Sequence, residues 1–306
     1  MKSKIGYPKK LREHAHHLLD STIWNEFEFR SDDIIINAYS KSGTTWVQQI
    51  VAQLLWNGSE QINVSEASPW IDCRFPSKDE RLAVVEAQSH RRFMKSHLSV
   101  DTLVFSPEAK YIYIGRDGRD VLWSLYNHHR NFKDDVIQGI DGVSGRTGPP
   151  LGYAPESILQ YYREWLTGDG YPWWPYWEHV LSWWKIKDLP NVLLVHFANL
   201  KKDMPSEIRR IAAFLDVAID ETKWDILLEH CSFAYMKAHA AEIVPFGGSL
   251  WEGSAETFMN KGVNGRWKDV LTSEDIEQYE HVAREKLGAE CAYWLSTGML
   301  QHTENA

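Results

Sequence analysis

The chain has 306 residues, 43% hydrophobic and 25% charged, which fits one large α/β domain or two small ones with ample core. A formal net charge of −9 argues against broad contact with nucleic acid or an anionic membrane. Any anion site must therefore be a local cluster of cations on an acidic body. Cys73, Cys231 and Cys291 are widely spaced with no CxxC, which argues against a disulfide framework or a zinc site and for reduced thiols. No apolar run approaches the ~20 residues needed to cross a bilayer, and the first residues lack the apolar stretch of a signal peptide. The expectation is one cytoplasmic domain over residues 1–306 with no membrane partner.

In chain order, His14, His16 and His17 read as a solvated helix face rather than a metal site. The aliphatic run Asp33-Ile34-Ile35-Ile36 predicts a strand. It leads into Tyr39-Ser40-Lys41-Ser42-Gly43-Thr44-Thr45-Trp46, and then into a helix whose apolar face is Val47, Ile50, Val51, Leu54 and Leu55. Asn57-Gly58 ends that helix. Arg92 to Lys95 reads as a short strand ending at Ser96-His97, and Lys110 to Gly115 as a second. A helix from about Asp120 to Asn131 follows, with acid in its first turn. Asn191 to Val195 is a further strand, and Pro205 to Leu215 returns to helical spacing.

Residues 133–157 are rich in glycine and proline and read as a long surface loop, a candidate lid. Glu242 to Glu256 is a second candidate. The tryptophans from Trp165 to Trp184 read as core packing, whereas Trp70 and Phe246 are candidates for an apolar pocket. Asp117 reads as a helix cap or surface acid.

Strands alternating with helices predict a central parallel sheet flanked by helices on both faces, with a P-loop-like nucleotide-binding architecture. Ligands of such sheets sit beyond the carboxyl ends of the strands. Ser40-Lys41, Ser96-His97 and Gly115-Arg116 all fall at such ends. A Gly-containing turn that carries Lys41 and opens a helix is suited to binding an oxyanion through free N–H groups, the helix dipole and the ammonium.

The first loop is not a Walker A motif, because Lys41 precedes Gly43 and Ala38 stands where that motif needs its first glycine. A magnesium-dependent small-molecule kinase and a silent nucleotide-binding module are the competing readings. Lys95-Ser96-His97-Leu98, the run from Arg116 to Ser124, and the run from Phe258 to Lys268 occur downstream in order. With these segments the chain resembles the sulfotransferases that use 3′-phosphoadenosine-5′-phosphosulfate (PAPS), in particular the cytosolic group acting on small molecules. The likeness runs from about residue 28 to 290 and includes Pro172 to Trp184.

The resemblance implies roles. Lys41, Ser42, Gly43, Thr44 and Thr45 would hold the 5′-phosphosulfate. Trp46 and Phe233 would sandwich the adenine, with Phe197 and Cys231 beside it. Arg116, Ser124, Lys261 and Gly262, together with Met259 and Asn260, would bind the 3′-phosphate. His97 would be the base and Lys95 a cation near the sulfate. The product would be 3′-phosphoadenosine 5′-phosphate (PAP), and no metal is called for. The acceptor would be a small phenol or alcohol, and a homodimer is suggested by Lys268, Thr272 and Glu277. Asn260, Arg266, Phe197, Cys231 and Ser273 depart from the family's usual residues.

Overall fold

The structure, a computed structural model, describes residues 6–60 and 62–300. Four short runs of buried residues form its sheet: β1 Ile34–Asn37, β2 Phe93–Ser96, β3 Lys110–Gly115 and β4 Val192–His196. All are parallel, in the order β2-β1-β3-β4. Asn37 pairs with Ser96 and with Tyr113, so the carboxyl ends of β1, β2 and β3 open on one edge.

Successive side chains point to opposite faces, and the core divides accordingly. Ile34, Ile36, Ile112 and Ile114 pack into one apolar cluster with the helices Thr44–Leu55 and Met204–Leu215. Ile35, Tyr111 and Tyr113 pack into the other, with Trp165, Trp177 and Trp183. The expected doubly covered sheet is therefore present. Strand boundaries fall within a residue of those read from the sequence. No helix among the described residues is long and apolar enough to cross a membrane.

At the opposite edge of the sheet, the Arg92 guanidinium forks onto Asp33 at 2.7 and 2.5 Å, both residues fully buried. Removing one partner of such a pair strands a charge and costs about 3–5 kcal/mol.

Helix starts follow local chemistry. Asp117 caps the helix Gly118–Arg130 by accepting from the Arg119 N–H, and it also pairs with the Arg119 side chain at 2.7 Å. That helix begins two residues before the expected start, so Ser124 closes its second turn rather than its first. Thr272 and Asp275 form a capping box on Ser273–Leu287.

Three expectations are corrected. His14, His16 and His17 lie on an irregular strap rather than a helix, and His16 and His17 are buried. Thr147 donates to the Ala15 carbonyl from its backbone and from its side chain, and Arg74 reaches the His16 carbonyl, so tertiary partners replace a helix's own hydrogen bonds. Within residues 133–157, Asp134–Asp141 is helical, and the Asp141 carboxylate fastens the following turn by accepting from Leu151 N at 2.6 Å and Gly152 N at 2.9 Å. The second candidate loop breaks into Ala240–Ile243, Pro245–Gly248 and Ser254–Phe258, all short helical turns.

Candidate functional site

The segment after β1 turns sharply because Lys41 (φ 66°) and Gly43 (φ 117°) both take left-handed backbone angles. A Cβ on Gly43 would come within 2.9 Å of Ile114 and Phe197, so only glycine lets the turn lie flat on the sheet edge. The helix starting at Thr44 then presents first-turn N–H groups that have no intrahelical acceptor.

Three cations converge beside it. Burial lowers Lys41 well below its ordinary value, and the nearby charges of Lys95 and Arg116 lower it further. Burial brings Lys95 down to about 8, with its ammonium 4.2 Å from the Trp70 ring centre. Arg116 is also depressed by burial. Its Nη1 donates to the Lys41 carbonyl at 3.1 Å, and its Nε and Nη2 donate to Asn264 Oδ1 at 3.1 and 2.9 Å. Like charges held this close are relieved by an anion placed among them. Asp120, pushed up to about 6 by burial, accepts from Gly265 N at 2.7 Å and ties the segment from Phe258 to Lys268 to the helix.

His97 ends β2. Its Nδ1 lies 2.5 Å from the Ala38 carbonyl, which can only accept, so the ring proton sits on Nδ1 and Nε2 carries the free lone pair. Burial, then Lys95, hold His97 well below the usual histidine range, so it is neutral. Asp72 fixes the turn from below: it accepts from the His97 N–H at 3.2 Å, Ser96 Oγ at 2.5 Å and Trp70 Nε1 at 2.6 Å.

These groups line one cavity of about 430 Å³. Lys41, Gly43, Thr44, Thr45, Trp46, Lys95, His97, Arg116 and Ser124 face it, as do Phe197, Phe233, Met259, Asn260, Lys261 and Gly262. Two of the named residues do not. Ser42 is buried beside the turn, its N–H donating to the Tyr39 carbonyl. The Cys231 thiol is fully buried in the apolar core, and what that residue offers is its carbonyl, which accepts from Trp46 Nε1 at 2.8 Å. Trp70 and Phe246 line the cavity, and so does Trp173 from the run read as core.

Sequence reading passed over His128, whose Nδ1 lies 3.4 Å from Lys41 Nζ. Asp120, Ser124 and His128 recur every four residues on Gly118–Arg130 and all face the cavity. Once Ser124 is placed, that spacing is the signal. Among the described residues no group of three or more His, Cys, Asp or Glu side chains is arranged to hold a metal ion.

The family model "Sulfotransferase domain" matches residues 31–290. A glycolipid sulfotransferase of Mycobacterium bovis is 30% identical, covering 92% of this chain and 93% of its own length. Sulfotransferase 1C2 of Homo sapiens is 27% identical over 93% and 95% of the two chains. Among solved structures, mouse sulfotransferase SULT7A1 complexed with PAP aligns with a TM-score of 0.68 at 24% identity, over 90% of each chain. Retinol dehydratase in complex with androsterone and PAP gives 0.68 at 24%, over 87% and 83%. The kinase reading gives way to these matches, and the chain belongs to the family of PAPS-dependent sulfotransferases.

Proposed function

We propose that the protein moves a sulfuryl group from PAPS to a hydroxyl, less readily an amine, of a small apolar acceptor. The observation that carries this is the meeting of Lys41, Lys95 and Arg116 in one cavity with a His97 whose Nε2 lone pair is free.

Lys41, Gly43, Thr44 and Thr45 hold the 5′-phosphosulfate, Ser42 shaping their turn. Trp46, Phe233 and Phe197 flank the adenine, with the Cys231 carbonyl orienting Trp46. Arg116, Ser124, Lys261 and Gly262, with Met259 and Asn260, take the 3′-phosphate.

His97 accepts the acceptor's proton at Nε2 as its oxygen forms the bond to sulfur and the bond from sulfur to the bridging oxygen breaks. A neutral imidazole is the competent form of that base. Charge then grows on the departing phosphate oxygen. Lys41 stabilises it more in the transition state than in the ground state, which is what accelerates the step. Lys95 adds positive potential at the sulfate. The aromatic half of the cavity suits a phenol or an apolar alcohol, and the name of the mycobacterial relatives puts a glycolipid on the test panel.

Mass spectrometry of reactions with PAPS and a mixed panel of phenols, alcohols and a glycolipid tests the assignment. The His97→Ala variant should lose roughly 10²–10⁴-fold in rate while still binding PAP. Undiminished turnover by that variant would remove His97 as the base.

A further inference from the structure

His128 is 8% exposed and points into the cavity from Gly118–Arg130, within a cage of rings. Trp251, Phe132, Phe258 and Trp173 have their centres 4.7, 5.0, 5.6 and 6.1 Å from the imidazole. Burial first, and the neighbouring Lys41 charge second, hold it far below the ordinary histidine range, so it is neutral. Its tautomer follows from one contact. Beside a bound polyanion Lys41 is an ammonium, which has donors only, so His128 Nδ1 at 3.4 Å accepts and the ring proton is on Nε2. That Nε2 has no protein partner among the described residues and keeps accessible area in the cavity.

The cavity thus carries two neutral imidazoles of opposite polarity. His97 offers a lone pair and His128 offers an N–H. We propose that His128 is a specificity-determining residue, donating from Nε2 to a second oxygen of an aromatic acceptor whose first oxygen lies at His97. The inference rests on the sulfuryl-transfer reading and narrows its acceptor to oxygenated arenes such as diols, methoxyphenols and hydroxyaryl carbonyls. An arene without that oxygen displaces water from the donor and returns nothing, leaving a buried N–H unpaired. Sites built to hydrogen-bond a substrate group discriminate strongly against analogues lacking it. The surrounding rings accept a flat frame in either case.

Binding of 2-naphthol and of a set of naphthalenediol isomers to the PAP-loaded protein, measured by calorimetry, tests the proposal, with kcat/KM from PAPS as a parallel readout. The isomers sweep the position of the second oxygen. At least one diol should be preferred to naphthol by about tenfold or more. The ratio should fall to about one in His128→Phe, which keeps the ring and loses both nitrogens. It should largely return in His128→Gln, whose amide N–H reaches the place of Nε2. Equal binding of all isomers by the wild type, or a preference that survives in His128→Phe, would overturn it. So would an equal loss of PAP and every acceptor in that variant, which would make His128 only a prop for Lys41. A binding preference that depends on His128 without any transfer from PAPS would instead defeat the sulfuryl-transfer reading.

Discussion

Burial holds the Lys95 ammonium at about 8 even though Asp72 lies close enough to pull it upward. A sulfate or phosphate beside it must pull harder, so anion binding raises this pKa. Below pH 8 Lys95 is already charged and binding moves few protons. Above pH 8 the free protein is largely neutral there and must take a proton up. PAPS affinity should therefore weaken as pH rises through 8, and the observed heat should depend on the buffer's ionisation enthalpy. In Lys95→Met that buffer dependence should shrink, leaving the part due to Lys41. The place of His97 in the cavity was legible from the sequence because Lys95-Ser96-His97-Leu98 falls between the Lys41 loop and the Arg116 segment. His128 was not, because its meaning lies in a 3.4 Å contact with a lysine 87 positions away.

At the scale of elements, the segment from Phe258 to Lys268 meets Phe233 through backbone rather than charge. Gly262 (φ 61°) presses on Phe233 so closely that an added Cβ would lie 2.7 Å from the ring. Gly262→Ala should displace that ring and weaken PAP by an amount comparable to losing one stacking partner, roughly 1–3 kcal/mol. Calorimetry of Gly262→Ala, Phe233→Ala and the double variant checks this. If the ring transmits the effect, the double variant is no worse than the poorer single. β1, β3 and β4 were readable because each is mainly an aliphatic or aromatic run, and β2 because Phe93-Met94 leads into Lys95-Ser96 on a fully buried strand. The helix Asp134–Asp141 was obscured by the glycines around it, although Val136, Ile137 and Ile140 carry helical spacing. Its following turn depends on the Asp141 carboxylate, a contact no local pattern announces.

Across the whole molecule, the histidine strap couples the pocket wall to acidity. Burial lowers His14 to about 4 and His16 to about 3 and holds His17 well below its ordinary value, while Leu18 beside them lines the cavity. In the unfolded chain these groups titrate near 6.5. Below that value the unfolded state binds more protons, so the strap's contribution to stability is whole above pH 6.5 and is lost as pH falls toward 4 and 3. The melting temperature should drop steadily from pH 7 to 4, and replacing His16 with Leu should flatten that slope. Equal slopes in the two proteins would contradict this account. The triplet was misread because a solvated helix face and a packed strap share the same three letters. Only the contacts to Thr147, Arg74 and Trp173 separate them.

The cavity's cations belong to a molecule whose formal charge is −9. Within a Debye length of the surface, about 10 Å at 0.1 M salt, an incoming nucleotide meets a repelling body, and only at the cavity mouth does attraction take over. Dissolved ions thus act twice with opposite effect: they quiet the far-field repulsion and hasten encounter, then compete at the cavity mouth and shorten residence. The ionic milieu sets how quickly this protein exchanges one nucleotide for the next, independently of any change in its bond-making residues.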